Sequence, residues 1–115
     1  MNKIKLVINN EAKKKEKEKF FIKQELQSIL NLYARMVSNG SWKDYSFTSS
    51  IKEVSFDVYQ RSSEKPILRI LKNLKPRYFN DKYLIKDKNG AILKKSENLN
   101  QFINKTSWNK LRLVK

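Results

Sequence analysis

FFIKQELQSILNLYARMVSNGSW, residues 20–42, is the one long stretch of the chain with a single unambiguous period, and the other segments are read around it. Its apolar residues Ile22, Leu26, Ile29, Leu30, Tyr33, Met36 and Val37 recur at three- and four-residue spacing, which places them on one stripe of a helix. Lys23, Gln24, Gln27, Ser28, Asn31 and Arg35 fall on the other face. Asn39-Gly40 follows the last periodic residue, and glycine suits the left-handed backbone that ends a helix. Such a helix needs a sheet to cover its stripe.

That sheet is legible downstream, where the period changes from about 3.6 residues to about 2. Trp42, Tyr45 and Phe47, then Ile51, Val54, Phe56 and Val58, alternate with polar residues across Thr48-Ser49-Ser50, which reads as an antiparallel hairpin. Ser55, Asp57 and Tyr59 point away from Val54, Phe56 and Val58, so one face is expected to be buried and one solvated. Ile67–Leu71, entered through Pro66, has apolar residues on both faces and reads as a central strand. LKNLKPRYFND (71–81) reads as a loop. Tyr83–Lys86 then pairs with Ala91–Leu93 across Asp87-Lys88-Asn89-Gly90, Asn-Gly being a strong hairpin signal. Ser96 is the expected N-cap of a short second helix with Leu99, Phe102 and Ile103 on one face. Trp108, Leu111, Leu113 and Val114 carry too much apolar surface for a free tail and should dock. The predicted fold is α+β: an N-terminal amphipathic helix packed on a four- or five-stranded antiparallel meander sheet, with a short C-terminal helix.

Composition sets the remaining bounds. The 115 residues suffice for one domain, 20–115, preceded by a Lys-dominated arm, 1–19, expected to be disordered. There is no cysteine and no histidine, which removes thiol chemistry, disulfides and the commonest general base and zinc ligand. Gly40 and Gly90 are the two glycines and both have turn roles, so no phosphate-cradling glycine loop exists. The carboxylates show no spacing that demands two in one site. The expectation is a non-enzymatic domain with no metal and no cofactor. With no long apolar segment and a poor secretory signal, it is also expected to be cytoplasmic and off the membrane.

The net charge is +15, from 26 Lys and Arg against 11 Asp and Glu. Such an excess attracts polyanions, RNA or DNA foremost. Of the 26 bases, 21 are Lys and 5 are Arg, with Asn also abundant, which is what an AT-rich genome writes by default. The charge is therefore open to both accounts.

FFIKQELQSILNLYARMVSNGSWKDY (20–45), VSFDVYQRSSEKPILRI (54–70) and GAILKK (90–95) resemble a family of small bacterial proteins of about this length, catalogued as a domain of unknown function. The LNLYxRMV helix, WKDY and RxSExP carry the likeness, which runs from about Phe20 to Val114. The resemblance implies a small domain and no assigned chemistry. It also implies Arg at several of the Lys positions, and Asp in place of Ile22, where it would cap the helix; Ile22 leaves that cap missing, at a cost of about 1 kcal/mol.

Three groups are candidate sites. Lys72, Lys75, Arg77, Tyr78 and Lys82, with Phe79, form the densest interleaving of bases and aromatics and are the candidate nucleic-acid surface. Arg61, Ser63, Glu64 and Arg69 could form an anion or carboxylate clamp, or an ion pair that only pins a loop. Trp42, Lys43, Asp44 and Tyr45 suit base stacking, but a Trp after a helix stop also seals a core edge. Two functions follow: a nucleic-acid- or ribosome-associated accessory protein, or a protein-interaction or homodimerisation module using a sheet edge or the C-terminal apolar segment.

Overall fold

The computed structural model describes residues 18–61 and 65–108. Helix α1 (Lys23–Ser38) is followed by strands β1 (Asp44–Ser49), β2 (Glu53–Tyr59) and β3 (Leu68–Asn73). A 3-10 turn (Phe79–Asp81), strands β4 (Tyr83–Asp87) and β5 (Ile92–Ser96), and helix α2 (Leu99–Lys105) follow among the described residues. The five strands form an antiparallel meander in the order β1-β2-β3-β4-β5. The α+β architecture expected from the periods is thus the one observed. The expectations for the N-terminal arm before Glu18 and for Leu111, Leu113 and Val114 lie outside the described residues.

Register explains the core. Phe47, Phe56, Ile70 and Ile85 stand opposite one another across four strands, and Tyr45, Val58 and Leu68 form the next row. All of these but Tyr45, which is exposed, meet Ile29, Leu32 and Met36 of α1 and Leu99, Phe102 and Ile103 of α2 in a single core. Each fully buried side chain of this kind stabilises the fold by about 1.5–3 kcal/mol. Trp108 docks on it as expected, its ring edge-on to Trp42 at 5.9 Å and its Nε1 donating to the Ile103 carbonyl.

Helix α1 ends as the sequence indicates. Gly40 has φ +80°, its N–H donates to the Val37 carbonyl, and the Ser41 N–H donates to the Met36 carbonyl, closing a Schellman motif. The buried stripe, however, is centred on Glu25, Ile29, Leu32 and Met36, while Ile22, Leu30 and Val37 are exposed. Leucine or valine sits at enough positions that spacing alone left the stripe's axis open by about one residue.

Four further expectations are corrected. Ile51 lies in the β1–β2 turn, 83% exposed, because the strands stop at Ser49 and restart at Glu53. Ser55 and Asp57 are buried instead of solvated, because Asp57 is the hub of hydroxyl hydrogen bonds described below. The N-cap of α2 is Asn98, whose side chain accepts from the Gln101 N–H, while Ser96 closes the preceding turn onto Asn98. Finally, β3 continues to Asn73, so Lys72 belongs to a strand.

Candidate nucleic-acid interface

Lys72 continues the alternation of Leu68 and Ile70 and so points into the core, 1% exposed. Its ammonium finds three acceptors: Glu25 Oε1 at 2.7 Å, Glu18 Oε1 at 2.6 Å and the Phe20 carbonyl at 3.1 Å. Glu25 in turn accepts the Ile22 N–H at 2.8 Å and the Tyr83 hydroxyl. A buried charge tolerates low dielectric only when it is paired and its remaining valences are filled, and here both ions meet that condition. Burial and then the hydrogen bond to the Glu25 carboxylate push the Tyr83 phenol far above its ordinary range. Lys72 is therefore removed from the candidate interface: it pins the first turn of α1 to the sheet. Glu25 also supplies half of a capping box where Ile22 offers no side-chain acceptor.

The other members of the group stay together at the surface. Their loop is closed at its base by the Asn73 N–H on the Lys82 carbonyl, 2.7 Å, and anchored by Leu74, which packs on the core while its N–H reaches the Lys52 carbonyl. The 3-10 turn bonds Asp81 to Tyr78 and Lys82 to Phe79, and Asp81 pairs with Lys95 of β5 at 3.3 Å. Held this way, the turn projects Tyr78 and Phe79 outward, 64% and 81% exposed, beside exposed Lys75 and Arg77. Lys82 lies over the Tyr83 ring, 5.5 Å from its centroid, and so braces the loop. A groove of about 580 Å³, bordered by Ser49, Ser50, Ile51, Leu74 and Lys75, adjoins the loop.

Of the proposed clamp, Ser63 and Glu64 lie outside the described residues. Arg61 is exposed just past β2 and already engaged. Arg69 Nε approaches Asp57 Oδ1 at 3.5 Å, so its acidic partner comes from the adjacent strand. Asp57 is itself held by the Thr48 and Ser55 hydroxyls, each at 2.7 Å. Trp42 is a core residue, and Tyr45 stacks edge-on against Tyr33 at 4.8 Å. The sealing role is therefore the one observed for this group. Among the described residues no group of three His, Cys, Asp or Glu is placed to hold a metal ion.

Glu25, Tyr83 and Asp57 were not singled out from the sequence. Glu25 carried a signal, standing one turn before Ile29 on the buried stripe; Asp57 carried none, since its partners come from two other strands.

These features define a small α+β domain, a meander sheet with both helices joined to one core, whose distinctive surface is a basic loop bearing two exposed aromatics. Residues 19–103 match the model of a protein family of unknown function, DUF2794, and the chain belongs to that family. The likeness carried by the LNLYxRMV, WKDY and RxSExP segments is thereby established, although the match stops within α2. Neither a curated protein nor a solved structure shows significant similarity to the chain. No helix among the described residues is long and apolar enough to cross a membrane.

Proposed function

We propose that this domain is a non-enzymatic, nucleic-acid- or ribosome-associated accessory protein that contacts single-stranded RNA or DNA through the loop from Leu74 to Lys82. The observation that supports this reading is the exposure of Tyr78 and Phe79 on a braced turn flanked by Lys75 and Arg77. Exposed aromatics stack on bases at about 1–3 kcal/mol each, while neighbouring cations follow the backbone. The Lys-rich N-terminal residues add sequence-independent attraction to phosphates.

The test is a pull-down from native lysate with the full chain, with and without nuclease, set against Lys75→Glu/Arg77→Glu. Partners lost both on nuclease treatment and in the variant are the expected result; partners that survive both would overturn the reading. Lys72 is left intact in this design, because reversing a buried charge would unfold the protein and mimic a loss of binding.

A second reading, homodimerisation by strand pairing, draws on the edges of the sheet. β5 carries Lys94 and Lys95 at its edge, a common guard against edge-to-edge association, whereas β1 has only Asp44 as a charge. A dimer that persists at high salt and is abolished by Phe47→Lys or Ser46→Pro would favour this reading.

A further inference from the structure

Arg69 and Lys86 stand directly opposite each other on neighbouring central strands, on the same sheet face as Asp57. Like charges in directly opposed positions repel and weaken the strand pair. Their repulsion is relieved on one side only, where Asp57 meets Arg69; among the described residues Lys86 has no acidic partner. Both side chains border a groove of about 390 Å³ that Lys65 and Lys88 also line. The one carboxylate lining that groove, Asp87, is turned into its own hairpin, where Oδ1 accepts the Asn89 and Ala91 N–H groups at 2.9 Å each. Four cations thus share one concavity whose acid is engaged in holding the turn.

We infer that this groove is a binding site for a phosphoryl group. Asp57, held by two hydroxyls, faces Arg69 on its Nε side at 3.5 Å and leaves a half-exposed guanidinium whose terminal nitrogens offer a planar fork to two oxygens of one phosphate. Lys86 and Lys88 add compact charges from the strand end and the turn, and Lys65 closes the groove from the β3 side. Gly90, at φ +85°, lets the turn fold back so that Lys88 stands on the same rim. A multiply charged phosphate between Arg69 and Lys86 converts their repulsion into shared attraction. The site stands at the opposite end of β3 from the Tyr78 loop, roughly 20 Å away for a six-residue strand, and does not depend on the function proposed for that loop. A phosphoryl group of this kind comes either from a free polyphosphate compound or from a phosphodiester backbone.

Amide chemical shifts of the full chain, titrated separately with inorganic tripolyphosphate and with an oligothymidylate, test the site. Both series are run on the native protein, on Lys86→Glu/Lys88→Glu, on the milder Lys86→Gln/Lys88→Gln, and on Tyr78→Ala/Phe79→Ala. The expected result is a saturable shift of the Arg69, Lys86 and Lys88 amides by at least one probe. Affinity should fall about tenfold or more in the Glu variant, less in the Gln variant, and stay unchanged for tripolyphosphate in the loop variant. A response to tripolyphosphate assigns the source to free polyphosphates, and a response to the oligonucleotide alone assigns it to the phosphodiester backbone. Silence of these amides toward both probes, or equal affinity in the native protein and both lysine variants, would overturn the site. The loop variant leaves the groove intact, so failure of the loop reading and failure of this one are separate results.

Discussion

Lys72 Nζ and Glu25 Oε1 stand 2.7 Å apart inside the core, joining the third strand to the first turn of α1 across 47 residues of sequence. The two ions, with the Tyr83 hydroxyl, the Ile22 N–H, the Glu18 carboxylate and the Phe20 carbonyl, form one network of donors and acceptors that fixes how the helix enters the fold. Removing one partner strands the other in low dielectric. Lys72→Met is expected to cost about 3–5 kcal/mol in urea unfolding. Lys72→Met combined with Glu25→Gln should cost less than the sum of the single changes by at least about 0.5 kcal/mol. Strict additivity would show that the pair is not coupled.

Tyr83 gives the same cluster a pH signature. Burial, and then the hydrogen bond to the Glu25 carboxylate, raise its phenol above the ordinary tyrosine range in the folded protein, so the protonated form is favoured by folding. Its contribution is fully present below the ordinary tyrosine range, and is lost as pH climbs from about 10 toward the raised folded value, because the unfolded chain releases its proton first. Stability should therefore decline above about pH 10 with a slope that Tyr83→Phe reduces. An identical alkaline slope in the variant would show that the phenol is not held by Glu25.

Ile22 sits at the N-cap with extended backbone and no acceptor to offer. Ile22→Asp, the residue implied at this place by the family likeness, should raise stability by about 1 kcal/mol, since a carboxylate here can accept from the Glu25 N–H and favours the positive end of the helix. Thermal unfolding of the two proteins decides it; a lower midpoint for the Asp variant would show that the Glu25 side chain already serves as the whole cap.

Trp42 is buried, and its Nε1 has no hydrogen-bond partner among the described residues. Replacing it by Phe removes an unsatisfied donor along with part of a ring, two effects of opposite sign. Trp42→Phe should stay within about 1 kcal/mol of the native stability, whereas Trp42→Ala should cost about 3–5 kcal/mol. Comparable losses for both would mean that the indole N–H is satisfied in solution.

What could be read from the sequence was local. Gly40 after Val37, Asn89-Gly90 between two apolar runs and the alternation around Phe56 each announce their element within a few residues, and the layer order follows. Long-range register was not legible. By charge Lys72 reads as the first cation of a loop, whereas the two-residue period of Leu68 and Ile70 carries it into the strand. Asp57 looked solvated because Thr48 and Arg69, which satisfy it, lie on neighbouring strands. Lys65, Arg69, Lys86 and Lys88 are scattered along the chain and become one surface only through the β3–β4 pairing. For the loop surface, Lys75, Arg77 and Tyr78 were legible because they are adjacent in sequence.

The role proposed for that loop is tested most directly by fluorescence anisotropy of a labelled single-stranded oligonucleotide, titrated with the full chain and with Tyr78→Ala/Phe79→Ala at about 50 and about 200 mM salt. Both proteins should bind more weakly at the higher salt. At each salt the variant should bind about tenfold or more weakly than the native chain, since two stacking platforms are lost. Equal affinities at both salt concentrations would contradict the proposal and leave only diffuse attraction between Lys residues and phosphate.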